Sequence, residues 1–521
     1  MKLNQWIAVM MTVAGLTGFL TVAGCRTAQP YFPPGSTPAP AQTAPRPSSP
    51  QTPVPAPEPI NLSLSSPLSL EEAIGIALRH NPDHAMAWQR ILQSESIKRQ
   101  SRAAFYPSIG FFTEYSQGDS PSGYLFKKID QRLLPPAVNF NDPGWFENVE
   151  IGLTGRFNLY NGGRDVLNQD MAQLAVDMAR TDRQGVENVL VASVINSYYD
   201  VLTAKEFIRI AEESVSTVES RLKAMTVRFS AGGALKSDML SLEVRLAQVR
   251  EDVLRSQNRY ETALAILTTV LGVSPAQPAA VLASPDLTSA DIPKNYTEAL
   301  AYAMAHRPEL IKIKKQVIQS KMAVAMSKTA YLPRVDLVAR YYLDDPGVNF
   351  NTQRDNWTLG LLLNWDLFTG FSTAAEIQKT TAIFGEIMEA DRKTMLSVTL
   401  DVKTAYLKLS EARARYTVAQ ASVAAAEESL RLVNIQHEGG SATITRYLEA
   451  ELDRNQARIR ATAAYYDTAK AISETGRATG YWTEELGTEV RRQRSEVRDQ
   501  GTEGSRLTTD DSRDSRLSLR G

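Results

Sequence analysis

Residues 148–159 read Asn-Val-Glu-Ile-Gly-Leu-Thr-Gly-Arg-Phe-Asn-Leu. On an extended chain Val149, Ile151, Leu153, Phe157 and Leu159 fall on one side, and Asn148, Glu150, Thr154, Arg156 and Asn158 on the other. Period-two alternation of this length marks a strand with two unlike faces. The same pattern returns at Trp357, Leu359, Leu361, Leu363, Trp365 and Leu367 against Thr358, Gly360, Asn364 and Asp366. Val335, Leu337, Ala339, Tyr341 and Leu343 alternate with Arg334, Asp336 and Arg340, and residues 108–116 follow the pattern more weakly. Long strands with aromatic residues near their ends suit a transmembrane barrel. A soluble sandwich, which also has one apolar face, is the competing reading. Four strands are too few to close a barrel, and an open edge in lipid leaves backbone groups unpaired at several kcal/mol each. A membrane sheet of this kind therefore needs strands from other chains.

On either side of these segments the chain repeats itself. Asn81-Pro82 and Arg307-Pro308 lie 226 residues apart, as do Tyr106-Pro107 and Leu332-Pro333. Leu159-Tyr160-Asn161-Gly162 and Leu367-Phe368-Thr369-Gly370 are offset by 208, as are Tyr198 and Tyr406, Gly232 and Gly440, Leu240 and Leu448, and Gly272 and Gly480. The change of offset places 18 extra residues in the first copy between Pro107 and Leu159. The Gly- and Pro-rich stretch 116–148 is predicted to be the loop that holds them.

The rest reads as amphipathic helix. Residues 164–229 lack proline, and Ala211, Val215, Val218, Leu222, Met225 and Phe229 step by four and three. Residues 372–437 behave alike through Val423, Ala426, Leu430, Val433 and His437. Each spans about 100 Å at 1.5 Å per residue, with left-handed coiled-coil pairing. Helices are also predicted over roughly 82–104, 237–271, 308–330 and 443–476. Both long helices end at a glycine turn, Ala231-Gly232-Gly233 or Gly439-Gly440-Ser441, where positive φ lets the chain reverse.

At the N-terminus, the uncharged apolar run Trp6–Val22 leads into Val22-Ala23-Gly24-Cys25. Small residues before the only cysteine resemble the lipobox of bacterial lipoproteins, so residues 1–24 read as a signal peptide and Cys25 as the acylated residue. Twelve prolines over 26–60 describe a semi-rigid spacer, giving a tether over 25–65. Residues 481–521 read as a disordered polar tail, with eight Arg and nine Asp/Glu after Tyr481. Between them lie the two repeats, 66–275 with its hairpin at about 108–160 and 276–480 with its hairpin at about 334–368.

Across 521 residues, 57 basic and 58 acidic side chains leave a net charge of -1, which gives no reason to expect nucleic acid as a partner. One cysteine excludes a disulfide framework, and four histidines leave little material for a metal centre or a histidine-driven active site. His80 and His84 share a helical spacing, but Pro82 interrupts it. Gly232-Gly233 follows a helix and lacks the Lys-Ser/Thr ending of a phosphate loop. No enzyme activity, cofactor or metal is expected.

The order of lipobox, proline tether and two copies of helix, hairpin, long helix, glycine turn and return helix resembles the TolC family of outer-membrane efflux factors, especially its acylated, drug-efflux members. The resemblance spans about residues 66–480. It implies a mainly α fold with a membrane β-barrel: a homotrimer whose twelve strands join a long α-helical barrel in the periplasm. It implies a channel in the cell outer membrane, lipid-anchored through Cys25, that passively conducts substrates delivered by an inner-membrane pump and a periplasmic adaptor. Glu150, Arg156, Asp336, Arg340 and Asp366 would then line a wet lumen, and Ala231, Gly232, Gly233, Gly439, Gly440 and Ser441 would form the tip that the adaptor contacts. Family members often carry gate aspartates just past the second turn. The matching positions here are Arg446 and Glu449, so the candidate gate is mixed in charge, with Asp238 as a further partner for the arginine. The alternative is a structural or adhesive coiled-coil lipoprotein tethered to the membrane without a channel. Cargo stays open among drugs, metal ions and proteins.

Overall fold

Each repeat begins with a helix whose ends are written in its residues. In the computed structural model, which describes residues 67–276, 280–282, 295–348 and 352–482, α1 (Leu70–His80) starts at a capping box in which Ser69 and Glu72 satisfy each other's backbone N–H. Asn81 ends α1 and caps α2 (Pro82–Ser101), its Oδ1 accepting from Asp83 N at 2.8 Å, with Pro82 in the first turn where no N–H is needed. Strand β1 (Ser108–Gly118), helix α3 (Pro121–Asp130) and strand β2 (Phe146–Tyr160) follow, then α4 (Arg164–Ser230) and α5 (Lys236–Leu271). The second repeat is α6 (Tyr296–His306), α7 (Pro308–Lys328), β3 (Arg334–Asp345), β4 (Asp355–Asn364), α8 (Ser372–Glu438) and α9 (Ile444–Thr479). Helices α4 and α8 are both 67 residues long, and α5 and α9 both 36.

Several expectations need correction. The stretch 116–148 is not all loop, because its extra residues include α3, announced by Ser120-Pro121. Strand β4 stops at Asn364, so Asp366 lies in the connection to α8 and not on the sheet. The polar tail begins later than 481: Trp482 is buried against the helical core, and its indole N–H donates to Ser473 O at 2.9 Å. Cys25, the tether over 25–65 and the tail from 483 lie outside the described residues.

The four strands form one sheet in the order β1-β2-β3-β4, every neighbour antiparallel. The helices leave and rejoin it at one end, and both hairpin connections lie at the other. Below the sheet, α4 packs against α5, α2, α9 and α7, while α8 packs against α9 and α7. No described helix is long and apolar enough to cross a membrane.

The repeat has a structural cause at the ends of the return helices. Gly272, at φ +80°, closes α5 directly under the α1–α2 junction, and the Asn81 amide donates to Val270 O at 2.9 Å. Gly480, at φ +81°, closes α9 under the α6–α7 junction, and there the Arg307 guanidinium donates to Arg477 O and Ala478 O. Asn81 and Arg307, equivalent by the 226 offset, each satisfy carbonyls that a helix end leaves without partners.

The larger core lies beside the first of these junctions, where Val194, Tyr198, Val201, Leu267 and Leu271 are fully buried. The Tyr198 hydroxyl sits between Leu68 O and Leu282 O, at 2.8 and 2.7 Å. Burial pushes its ionisation up to about 12, and burial followed by the nearby Glu206 does the same for Tyr466. A folded value raised above 10 means that this stabilisation is complete below pH 10 and is lost as pH climbs through 12. The apparent melting temperature is therefore expected to fall between pH 10 and 12, and Tyr198→Phe to flatten that slope. An unchanged slope would remove Tyr198 as its source.

Candidate functional site

The sheet sorts its side chains by parity. Odd positions present Ile109, Phe111, Leu153, Leu359, Leu361 and Leu363, all exposed. Even positions carry charge in matched sets. Asp336, fully buried, accepts from Arg156 at 2.6 Å and from Asn158 at 3.0 Å, with Arg334 Nε also at 3.0 Å. Glu150 meets Arg340 at 2.5 Å and Lys127 at 2.8 Å. Asp344, also fully buried, accepts from Asn148 at 2.6 Å and pairs with Lys127 at 3.2 Å. Every one of these carboxylates faces a cation on a neighbouring strand or on α3, which offsets the cost of holding charge on a partly covered surface. Trp145 and Trp357 stand exposed at the hairpin end, and Trp365, Phe368 and Phe371 at the helical end, as in the aromatic girdles of a membrane sheet. The Trp365 indole donates to Tyr331 O at 3.0 Å, fixing this end of the sheet to the helical body.

At the far end of the helices, the two turns have the same geometry. Gly232 at φ +75° and Gly440 at φ +81° let Gly233 N reach Arg228 O at 2.9 Å and Ser441 N reach Gln436 O at 2.8 Å. Ala231, Gly232, Gly233, Gly439, Gly440 and Ser441 are all exposed. Beneath them Val218, Met225, Leu242, Val433, Ile444 and Tyr447 form a separate core, the inward part of the heptads. Arg446 and Glu449 lie on the exposed face of α9 and pair at 3.3 Å. Asp238 lies half-buried at the start of α5, and no ion pair joins it to Arg446 among the described residues.

Sequence reasoning missed the buried groups beside this tip. Glu451 is fully buried: it accepts from Arg245 at 2.8 Å and from Ser214 at 2.6 Å, and it also bonds Asn455. Arg221 lies 4.2 Å over the Tyr447 ring and bonds Asn434. The only sequence signal was a carboxylate on the otherwise apolar stripe Ile444, Tyr447, Ala450 of α9. His84 lies 2.9 Å from Glu187, on a different helix from His80. Among the described residues, no three His, Cys, Asp or Glu side chains are grouped to hold a metal.

The chain thus joins a long helical body to a sheet with one apolar and one charged face. The chain belongs to the outer membrane efflux protein family, whose profile matches residues 73–273 and 299–480, one repeat each. Protein CyaE of Bordetella pertussis is 24% identical over 396 residues, 75% of this chain and 80% of that protein. The outer membrane efflux protein BepC of Brucella suis is 22% identical over 357 residues, 68% and 76% of the two chains. The fold matches the solved outer-membrane channel OprN with a TM-score of 0.68 at 18% identity, covering 81% of this chain and 92% of that one. The protein is a channel of the outer membrane, extends into the periplasm and is not an enzyme.

Proposed function

We propose that three copies of the chain close a twelve-stranded barrel through which substrates pass from the periplasm to the exterior without any bond being made or broken. The observation that carries this reading is the pair of free edges. Among the described residues, the outer sides of β1 and β4 have no partner strand, while exposed leucines on the same sheet suit hydrocarbon. Edges in lipid must be paired, so β4 of one copy joins β1 of the next. The number three comes from the family likeness. Leu396, Leu400, Leu407 and Val418, exposed along α8, then become contacts between helices of neighbouring copies.

In this assembly the glycine turns form the periplasmic tip. Val227, Leu235 and Ile435, apolar and exposed beside them, offer a surface for the helical hairpins of a periplasmic adaptor, which links the channel to an inner-membrane pump. Arg446 and Glu449 act as the narrow ring of that tip, a mixed-charge gate in which each arginine is neutralised within its own chain. Cys25 carries the acyl chains that hold the tether to the membrane.

The purified protein is expected to run as a heat-modifiable trimer in detergent and to give discrete conductance steps in planar bilayers. Deleting residues 334–367, which removes β3 and β4, is expected to abolish the steps. A monomer that stays soluble without detergent and never conducts would instead favour a tethered rod.

A further inference from the structure

We propose that α3 is a second constriction of the channel, set at the outer mouth and limiting the size of what leaves. The inference rests on the barrel reading above and goes beyond it, since neither the tip nor the strands require this helix. The extra residues of the first repeat could have formed an exposed loop. Instead α3, at the end of the sheet away from the helical body, folds back over the even-numbered, charged face.

Three attachments pin it there. Lys127 reaches Glu150 at 2.8 Å and Asp344 at 3.2 Å, bridging β2 and β3. Gln131, fully buried, donates to Glu147 O at 2.8 Å and to Asn148 Oδ1 at 2.9 Å. Asn356 of β4 donates to Asp130 O at 3.2 Å. Gly123 leaves room for the Phe146 ring, which a Cβ there would approach to 2.8 Å.

Burial along β2 records the effect. Phe146, Asn148 and Glu150 are buried on the even face, whereas Thr154 and Arg156, further from the outer end, are exposed. A wall of hydrated charges needs no cover, yet its outer half is covered by a helix carrying the complementary cation. The side of α3 turned away from the wall presents Phe126 and Ile129, 65% and 46% exposed and one turn apart. In a ring of three chains those side chains project into the bore. Helices about 10 Å across take up much of a twelve-stranded barrel, intermediate between filled eight-stranded and open sixteen-stranded ones. A ring of side chains at that point leaves an opening that water and small ions cross and that bulky solutes do not. Wide cargo must break the Lys127 and Gln131 attachments and swing α3 aside.

The test places a thiol below the helix. Thr154→Cys is labelled from outside intact cells, first with a small membrane-impermeant methanethiosulfonate and then with a bulky polyethylene-glycol maleimide. It is compared in the full chain, in a chain with residues 120–132 replaced by Gly-Ser-Gly, and in Lys127→Met/Gln131→Leu, which keeps the loop length. The bulky reagent is expected to react about tenfold faster in both altered chains than in the full chain. Equal rates in all three, fast or slow, with the small reagent reacting throughout, would overturn the outer constriction and leave the channel standing. No reaction of the small reagent in any chain would overturn the wet lumen itself, and this inference with it.

Discussion

Arg245→Met is expected to destabilise the helical body by about 3–5 kcal/mol, the usual effect of removing one partner from a buried ion pair. Glu451 is fully buried at the centre of a four-residue set drawn from α4, α5 and α9. Ser214 and Asn455 are neutral and do not replace the guanidinium. The double variant Arg245→Met/Glu451→Leu should recover most of the loss, because apolar packing of similar volume is often as stable as a buried pair. Denaturant midpoints of the detergent-solubilised protein check both statements. A single variant within about 0.5 kcal/mol of the parent, an ordinary surface effect, would show that the pair does not hold these helices together.

Gly272→Ala should be nearly as severe, and more so than the equivalent change at Gly480. Both positions are left-handed, so each alanine carries about 1–2 kcal/mol of backbone strain. At Gly272 the new Cβ would also lie 2.4 Å from His80 O and 2.9 Å from Asn81 Cα, a backbone clash that adds about 1–3 kcal/mol by forcing α5 away from the α1–α2 junction. At Gly480 the nearest atom, His306 O, is 3.3 Å away, so the overlap is only a few tenths of an ångström. The two melting temperatures should therefore separate clearly, with Gly272→Ala the lower. Equal losses would mean that conformation alone, and not close approach, dictates glycine at both sites.

The aligned junctions also show how far a sequence carries. Local patterns announced the two faces of β2 and β3, the helices on either side of the glycine turns, and the offsets that align Asn81 with Arg307. Each of these is set within a few residues, by side-chain parity, helical stepping or a positive φ. The pattern also overran the structure: alternation carried β4 on to Asp366, although its pairing with β3 ends at Asn364. A polar tail reads as starting at 481 because a charged stretch follows, whereas the burial of Trp482 depends on Ser473 and Gly476 across the helix end.

The strand faces, the duplicated order of elements and the reversing turns are legible in the residues alone, since these depend on neighbours close along the chain. That Glu451 finds Arg245, and that Lys127 lies against Glu150 and Asp344, emerges only from the packed fold. Those partners come from distant elements, and the free energy of burying a charge depends on what stands opposite it in space, which no local periodicity encodes.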